Sequence, residues 1–378
     1  MSLIQELQNK NVVEYGVYPD ALAEKIESFQ NAEAVVAALN NSDVVGPALQ
    51  LLEKNPQKVF DGMKLLAEEV HAESLVLHIP NYAKDLAEKL SRIADENHVE
   101  VRLGIVNKRA TANCFVTHIA SCADVKDVAD GTYKEGCYVS VNGGEFHKVD
   151  ASVKLCELLG TEVKGVQCGY ELLDACALEK TVGEVNPENG VICALTKNDC
   201  VVDTVDKWLV NCRVQSCGKC VFCREGLLQL EAMAKDITIG KGRMDELDIT
   251  REIGEAMTYS TPCSMGQNAS RMALTAQEAF AGEYEEHIKK KKCAADVCTA
   301  FQKVYVDPTA CTGCGKCQEV CPVHAIDGAD GYIHIVFDHW CTRCGNCVTA
   351  CPEGAIHKTT DRVPKLPDRM MRVGRFHK

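Results

Sequence analysis

Residues Ser216–Gly226 read SCGKCVFCREG, and the organisation of the whole chain can be worked outward from them. Cys217, Cys220 and Cys223 stand at C-x2-C-x2-C spacing. That spacing lets three thiolates from one loop and helix start converge on one metal centre. A fourth ligand must come from elsewhere, and Cys263, in Thr261-Pro262-Cys263-Ser264, is the candidate. Four thiolates fit the ligand set of a [4Fe-4S] cubane. Zinc is the competing reading, but its sites more often use two C-x2-C pairs than a triplet and a distant single. Cys200 and Cys212 flank the motif and fall outside the set, which is complete without them.

A second pattern lies near the C-terminal end. Cys311, Cys314, Cys317 and Cys321-Pro322 repeat as Cys341, Cys344, Cys347 and Cys351-Pro352, with nine of sixteen positions identical between 311–326 and 341–356. Both halves are C-x2-C-x2-C-x3-C-P, which resembles the run of a bacterial two-cluster ferredoxin, in which the fourth cysteine of each half ligates the other cluster. That crossing assigns Cys311, Cys314, Cys317 and Cys351 to one cubane, and Cys341, Cys344, Cys347 and Cys321 to the other. The chain is therefore expected to carry three [4Fe-4S] clusters on twelve cysteines. No side chain near them is an evident acid, base or nucleophile.

SCGKCVFCREG with a remote cysteine, preceded by Gly190–Leu195 and Cys200–Asp203, resembles the cluster motif of the NADH-binding, FMN-carrying (51 kDa-type) subunit of respiratory complex I and NAD-linked hydrogenases. The resemblance implies a fold that is α/β and α+β multidomain: a flavin-type α/β domain over residues 1–130, a β-grasp-like (SLBB-type) module over 131–200, and a four-helix cluster domain over 201–287. A linker (288–303), a two-cluster ferredoxin domain (304–360) and a basic arm (361–378) follow. The arm is read as an extended segment, docking on an acidic neighbour or simply disordered. Helices over Lys58–His71 and Tyr82–Asn97, and strands over Ser74–Pro80 and Val99–Val106, follow from hydrophobic periodicity.

The flavin-type domain is degenerate. The family carries glycine-rich loops that let backbone amides approach the FMN phosphate, and side chains obstruct such an approach. Here the first 130 residues hold only Gly16, Gly46, Gly62 and Gly104. Asn41–Pro47 stands where the family has an acidic, glycine-containing stretch, and Val106–Cys114 has no glycine. FMN is thus not expected. Lys108 and Arg109 could hold a phosphate but read more simply as a solvated turn. Cys156, Cys168, Cys176 and Cys193 lack ligand spacing and read as small buried hydrophobes. Cys293-x4-Cys298 is too sparse for a metal site, and Lys289–Lys292 reads as a solvated tether.

Bulk properties bound the function. The net charge of −13 opposes nonspecific nucleic-acid binding. The odd total of 23 cysteines and their triplet spacing oppose a disulfide framework and fit a reducing cytoplasm in an organism with anaerobic metabolism. No signal peptide or membrane-length apolar run is present, so direct membrane insertion is not expected. The expected function is an electron-transfer subunit of a multisubunit oxidoreductase, relaying between a flavin-containing partner subunit and a ferredoxin-like or other redox partner. The alternative is a divergent FMN-dependent NADH dehydrogenase subunit that binds flavin itself. The peripheral subunit of a membrane ferredoxin:NAD oxidoreductase and a non-redox scaffold are further rivals.

Overall fold

In a computed structural model, which describes residues 2–29 and 31–376, the chain divides into two units. The first comprises 1–197, 204–234 and 245–281; the second comprises 198–203, 235–244 and 282–378.

The first unit opens with a parallel sheet of β1 (Ala34–Ala38), β2 (Ser74–Ile79), β3 (Val99–Leu103) and β4 (Phe115–His118), in the order β3-β2-β1-β4. Periodicity over 74–106 predicts β2 and β3. It does not reveal β1, because the sequence AVVAA is rich in the best helix former. All five residues are buried, the environment a central parallel strand requires. Chain order runs outward from β1 through β2 to β3 and then returns to β4 on the other side, so a topological switch point lies between β1 and β4. Helices Pro56–Glu69 and Ile119–Ala129 pack against each other with Gly62 facing the Cys122 carbonyl. A Cβ at Gly62 would lie 1.9 Å from that oxygen, so the close approach depends on glycine.

A second sheet holds β5 (Cys137–Val141), β6 (His147–Val149), β7 (Gly165–Cys168), β8 (Glu171–Asp174) and β9 (Val191–Leu195), in the order β6-β5-β9-β7-β8. Two antiparallel hairpins flank β9, which runs parallel to β5. Val139, Leu155, Val166, Val182 and Ile192 fill its core. Of the scattered cysteines, Cys168 is buried as expected, but Cys176 is exposed on a 3-10 turn.

Helices Val201–Gln215, Val221–Thr238 and Asp245–Ser260 follow. The last stretch of this region is broken into Ser264–Ala269, Arg271–Ala279 and Ala281–Glu285, with a π-turn at Glu286–Lys290. At the first break, buried Ser270 turns its hydroxyl to the Gly254 carbonyl (3.0 Å) of the neighbouring helix.

The segment Asn41–Asp43 ties this unit together. Asn41 donates from Nδ2 to the Val106 carbonyl and accepts at Oδ1 from the Val106 amide, both at 2.8 Å. Its own amide donates to Ser264 Oγ (3.1 Å), and Gln215 Nε2 donates to its carbonyl (2.8 Å). Asn268 Nδ2 reaches Ser42 Oγ (3.2 Å), while the hydroxyls of Tyr170 and Tyr82 donate to the Asp43 carboxylate and carbonyl. The stretch aligned by resemblance with a ligand-binding segment is thus a buried structural joint.

In the second unit, β10 (Lys303–Val306) pairs with β13 (Ile356–Thr359), and β11 (Ile326–Asp327) with β12 (Ile335–Val336), all antiparallel. The basic arm neither hangs free nor awaits a neighbour along its whole length. The Ile333 amide donates to the Met371 carbonyl (2.8 Å), the Val373 amide to the Gly331 carbonyl (3.1 Å), and Met371 and Phe376 pack on the ferredoxin-type core. Residues 288–303 are likewise built in: Lys289 and Lys290 pair one helical turn back with Glu285 and Glu286, and Lys292 pairs with Asp361.

Asn41→Ala would strand the buried amide and carbonyl of Val106, at a cost of about 2–4 kcal/mol. The melting temperature of the metal-loaded protein, followed by circular dichroism, is expected to fall by at least about 5 °C.

Candidate metal centres

Cys217 and Cys220 lie in the turn between helices Val201–Gln215 and Val221–Thr238, and Cys223 lies in the first turn of the second. Cys263 is the N-cap of Ser264–Ala269. The four thiols feel one another: charge on Cys263 and Cys217 raises the thiols of both Cys220 and Cys223, after burial itself, which is the largest cause. Burial and these neighbours push Cys223 up to about 11, and a bound cation is what would hold it as thiolate. Ser216 Oγ sits 3.5 Å from Cys223 Sγ and accepts from the Gly218 amide at 3.3 Å. Arg224 joins an ion pair to Glu225 with a hydrogen bond to the Gly218 carbonyl (3.1 Å), so its guanidinium clamps the ligand loop. Arg109 lies close enough to lower the Cys220 thiol, opposing burial, and Lys219, Phe222 and Tyr259 surround the same surface bowl.

In the second unit, one cavity is lined by Cys311, Cys314, Cys317 and Cys351, and another by Cys321, Cys341, Cys344 and Cys347. Three cysteines of one repeat thus meet the fourth of the other, in both directions. Gly315 and Gly345, at φ +75° and +89°, cap the short helices that carry Cys317 and Cys347. Both lie in the left-handed region that glycine enters freely. Amides of Ala325, Arg343 and Ala355 point at the sulfurs of Cys321, Cys341 and Cys351 (3.2–3.3 Å). Such donors stabilise the thiolates of a cluster and help set its potential. His334 also lines the first cavity, is 2 % exposed, and its Nε2 has no partner among the described residues. A buried polar atom without a partner is costly, and a cluster sulfur in that cavity would accept from it. The cavities therefore fit the clusters.

A further group is one that the sequence alone does not reveal. Cys200, His287, Cys293 and Cys298 are all buried, and their four ligand atoms lie within 4.8 Å of one another. Cys200 Sγ is 3.3 Å from His287 Nε2 and 3.7 Å from Cys298 Sγ, and Cys298 Sγ is 3.5 Å from His287 Nε2. Ligands at zinc bond lengths around a tetrahedron stand roughly 3.5–3.8 Å apart. A cubane spreads its thiolates over four irons and needs them wider. His287 Nδ1 donates to the Glu283 carbonyl (2.8 Å), which fixes the tautomer and turns Nε2 inward, as ligating histidines are commonly held. Burial alone would lower this imidazole, but its contacts with Cys200 and Cys293 raise it to about 10, a sign of thiolate charge gathered around it. This corrects the expectation that Cys293-x4-Cys298 is too sparse for a metal and that Cys200 is surplus. The signal that sequence reasoning lacks is His287, six residues before Cys293.

Comparison with known proteins bears on two stretches of the chain. Two regions of the chain match iron–sulfur domains. Residues 203–287 match the NADH-ubiquinone oxidoreductase-F iron-sulfur binding region, and residues 310–356 match the 4Fe-4S dicluster domain. The chain is 36% identical over 169 residues to NADP-reducing hydrogenase subunit HndC of Solidesulfovibrio fructosivorans, covering 45% of this chain and 33% of that one. It is 37% identical over 97 residues to an NADH-quinone oxidoreductase subunit of Streptomyces coelicolor, covering 26% of this chain and 22% of that one. The chain thus spans a third or less of these relatives. The fold resembles a crystal structure of NAD+-reducing [NiFe]-hydrogenase in the air-oxidized state, with TM-score 0.64 and 19% identity over 76% of this chain and 62% of that one. No helix among the described residues is long and apolar enough to cross a membrane.

His334→Leu keeps the volume and removes the inward donor. Loss of about 1 kcal/mol of hydrogen bonding is expected to shift one ferredoxin-type cluster about 40 mV more negative in an EPR-monitored redox titration. An unchanged potential would show that His334 donates to no cluster sulfur.

Proposed function

We propose that the chain is an iron–sulfur electron-transfer subunit of a multisubunit cytoplasmic oxidoreductase. It relays single electrons through three [4Fe-4S] clusters between a flavin-containing partner subunit and a ferredoxin-like or other redox partner. The ligands are Cys217, Cys220, Cys223 and Cys263; Cys311, Cys314, Cys317 and Cys351; and Cys341, Cys344, Cys347 and Cys321. The observation that carries this reading is the crossed grouping of the eight C-terminal cysteines around two cavities. The relatives named above, a hydrogenase subunit and a quinone oxidoreductase subunit, support a place in a hetero-oligomeric complex. The order β6-β5-β9-β7-β8, with the first and last strands parallel at the centre, supports the β-grasp-like reading of the second sheet.

When loaded, the clusters accept and release electrons one at a time. The chain's own residues bind the thiolate set, orient it through backbone amides and exclude water from Cys223, Cys311, Cys317 and Cys347, all buried. Resident FMN is not part of the proposal. The joint Asn41–Asp43 is buried within the protein, and the first helical amides after β4 face the His118 side chain, which accepts from Ala120 N (3.1 Å).

The site formed by Cys200, His287, Cys293 and Cys298 is proposed to hold zinc. Three thiolates and a neutral imidazole form a closed tetrahedral set, typical of structural rather than catalytic zinc. Zinc has no redox chemistry and would leave the electron count at three clusters.

Metal analysis on anaerobically purified protein is expected to give about twelve irons with matching sulfide, about one zinc, and no flavin. Cys293→Ser should lower zinc severalfold and leave iron unchanged. Loss of iron in that variant would make the fourth site a cluster site, and stoichiometric FMN would favour the alternative dehydrogenase reading.

A further inference from the structure

Residues 361–378 hold six lysines and arginines against two aspartates, in a chain whose net charge is −13. A protein this acidic repels acidic partners unless one surface reverses the local field. The arm is such a surface. Arg362, Lys365, Arg369, Arg372 and Arg375 are all exposed. Among the described residues, none of Arg362, Lys365, Arg369 and Arg375 pairs with a carboxylate. The lysine run before the ferredoxin-type domain differs, because Lys289, Lys290 and Lys292 are each neutralised by an acid.

The cations sit on a fixed segment. Arg372 and Tyr332 form an antiparallel bridge, and the Arg372 guanidinium lies 5.7 Å from the centre of the Tyr332 ring. Pro367 is buried. Much of the ordering that binding demands is therefore complete before a partner arrives. The bridge also reaches a cluster loop. The Gly331 amide donates to the Gly313 carbonyl (3.3 Å), and a Cβ at Gly313 would fall 2.7 Å from the Tyr332 amide nitrogen. Gly313 lies between Cys311 and Cys314, and Cys314 is exposed. The arm is thus carried on a segment packed against the ligand loop of one ferredoxin-type cavity.

The side chains indicate what docks there. Four of the five exposed cations are arginines, whose planar forks grip carboxylates in pairs and stay charged. Met370 and Val373 expose apolar surface between them. Arginine and methionine are both enriched at protein interfaces. We propose that residues 362–375 are the docking surface for a small acidic carrier protein that exchanges single electrons at the centre on Cys311, Cys314, Cys317 and Cys351. The proposal rests on the relay reading of that centre. One electron moves, the carrier is oxidised by one and the centre reduced by one, or the reverse, and no bond forms or breaks.

Anaerobic holoprotein would be titrated by calorimetry with an oxidised acidic two-cluster ferredoxin, and mixed with the same ferredoxin, reduced, in a stopped-flow spectrophotometer. Binding is expected to weaken at least about tenfold between about 0.05 and 0.5 M NaCl. Arg369→Glu with Arg375→Glu should weaken it at least about tenfold at low salt and slow electron transfer in step. Arg362→Glu with Lys365→Glu should act in the same direction, while Arg369→Lys with Arg375→Lys should retain most of the affinity. Lys89→Glu with Arg92→Glu places the same charge change on helix Lys84–Glu96 of the first unit and should alter affinity less than about threefold. Iron content and EPR of dithionite-treated samples report the clusters separately. Clusters that dithionite does not reduce would remove the relay reading, while calorimetry still judges the docking surface. Absence of ferredoxin binding would overturn the proposal. So would indifference to the arm's charge reversals, or an equal loss in the Lys89 and Arg92 variant.

Discussion

The first unit depends on the hydrogen-bonded burial of Asn41–Asp43. The three residues are almost wholly shielded, yet carry three polar side chains and a full set of backbone groups. Burying them would be prohibitive unless each found a partner. The partners come from the loop after β3 (Val106), from the end of helix Val201–Gln215 (Gln215), from the helix carrying the Cys263 cap (Ser264, Asn268), and from the second sheet (Tyr170). One short segment therefore fixes the register of the parallel sheet, the second sheet and the cluster-bearing helices together. Because these bonds converge on three consecutive residues, one displacement breaks several at once. Cys263 is held immediately beside this joint, so the geometry of the cysteine quartet follows from it.

The same joint also bears on the backbone groups at the ends of the parallel strands. A phosphate cradle keeps amides pointing into open space, and in the absence of ligand those amides depend on water. Here the amides after β1 and β4 point at protein: Asn40 N at Asp43, His118 N at Glu14, Ala120 N at His118. These amides are thus satisfied from within the protein.

Legibility from sequence follows the range of the constraint. The grouping of the eight C-terminal cysteines is legible because they sit within one short repeated span whose resemblance to a two-cluster ferredoxin implies the crossed sets that line the two cavities. Cys217, Cys220 and Cys223 are legible for the same reason, while Cys263 needs the count of four. The site of Cys200, His287, Cys293 and Cys298 is not legible. Its first ligand stands 87 residues from the second, and its C-x4-C pair matches no common spacing. His287 lies in the π-turn Glu286–Lys290, a local geometry with no sequence signature. Strand β1 is hidden by alanine, whose intrinsic helix preference is overruled by burial between β2 and β4. The arm is hidden because a few backbone hydrogen bonds along residues 371–373 leave no periodic trace.

Two kinds of cysteine site in one chain have different tolerances. The cluster quartets keep donors aimed at sulfur and leave Cys217, Cys314 and Cys344 exposed, which suits centres that must pass electrons outward. The quartet with His287 is closed on every side: all four members are buried, Phe301 covers the imidazole at 5.4 Å, and Glu283 serves both the Val201 amide and the His287 ring. A centre without exposure, with its histidine held by a backbone carbonyl and its segments contributed by 198–203 and 282–298, is built to hold chain segments together rather than to exchange electrons. Exposure of the cysteine residues, more than their number, separates the proposed wiring of this protein from its proposed fastening.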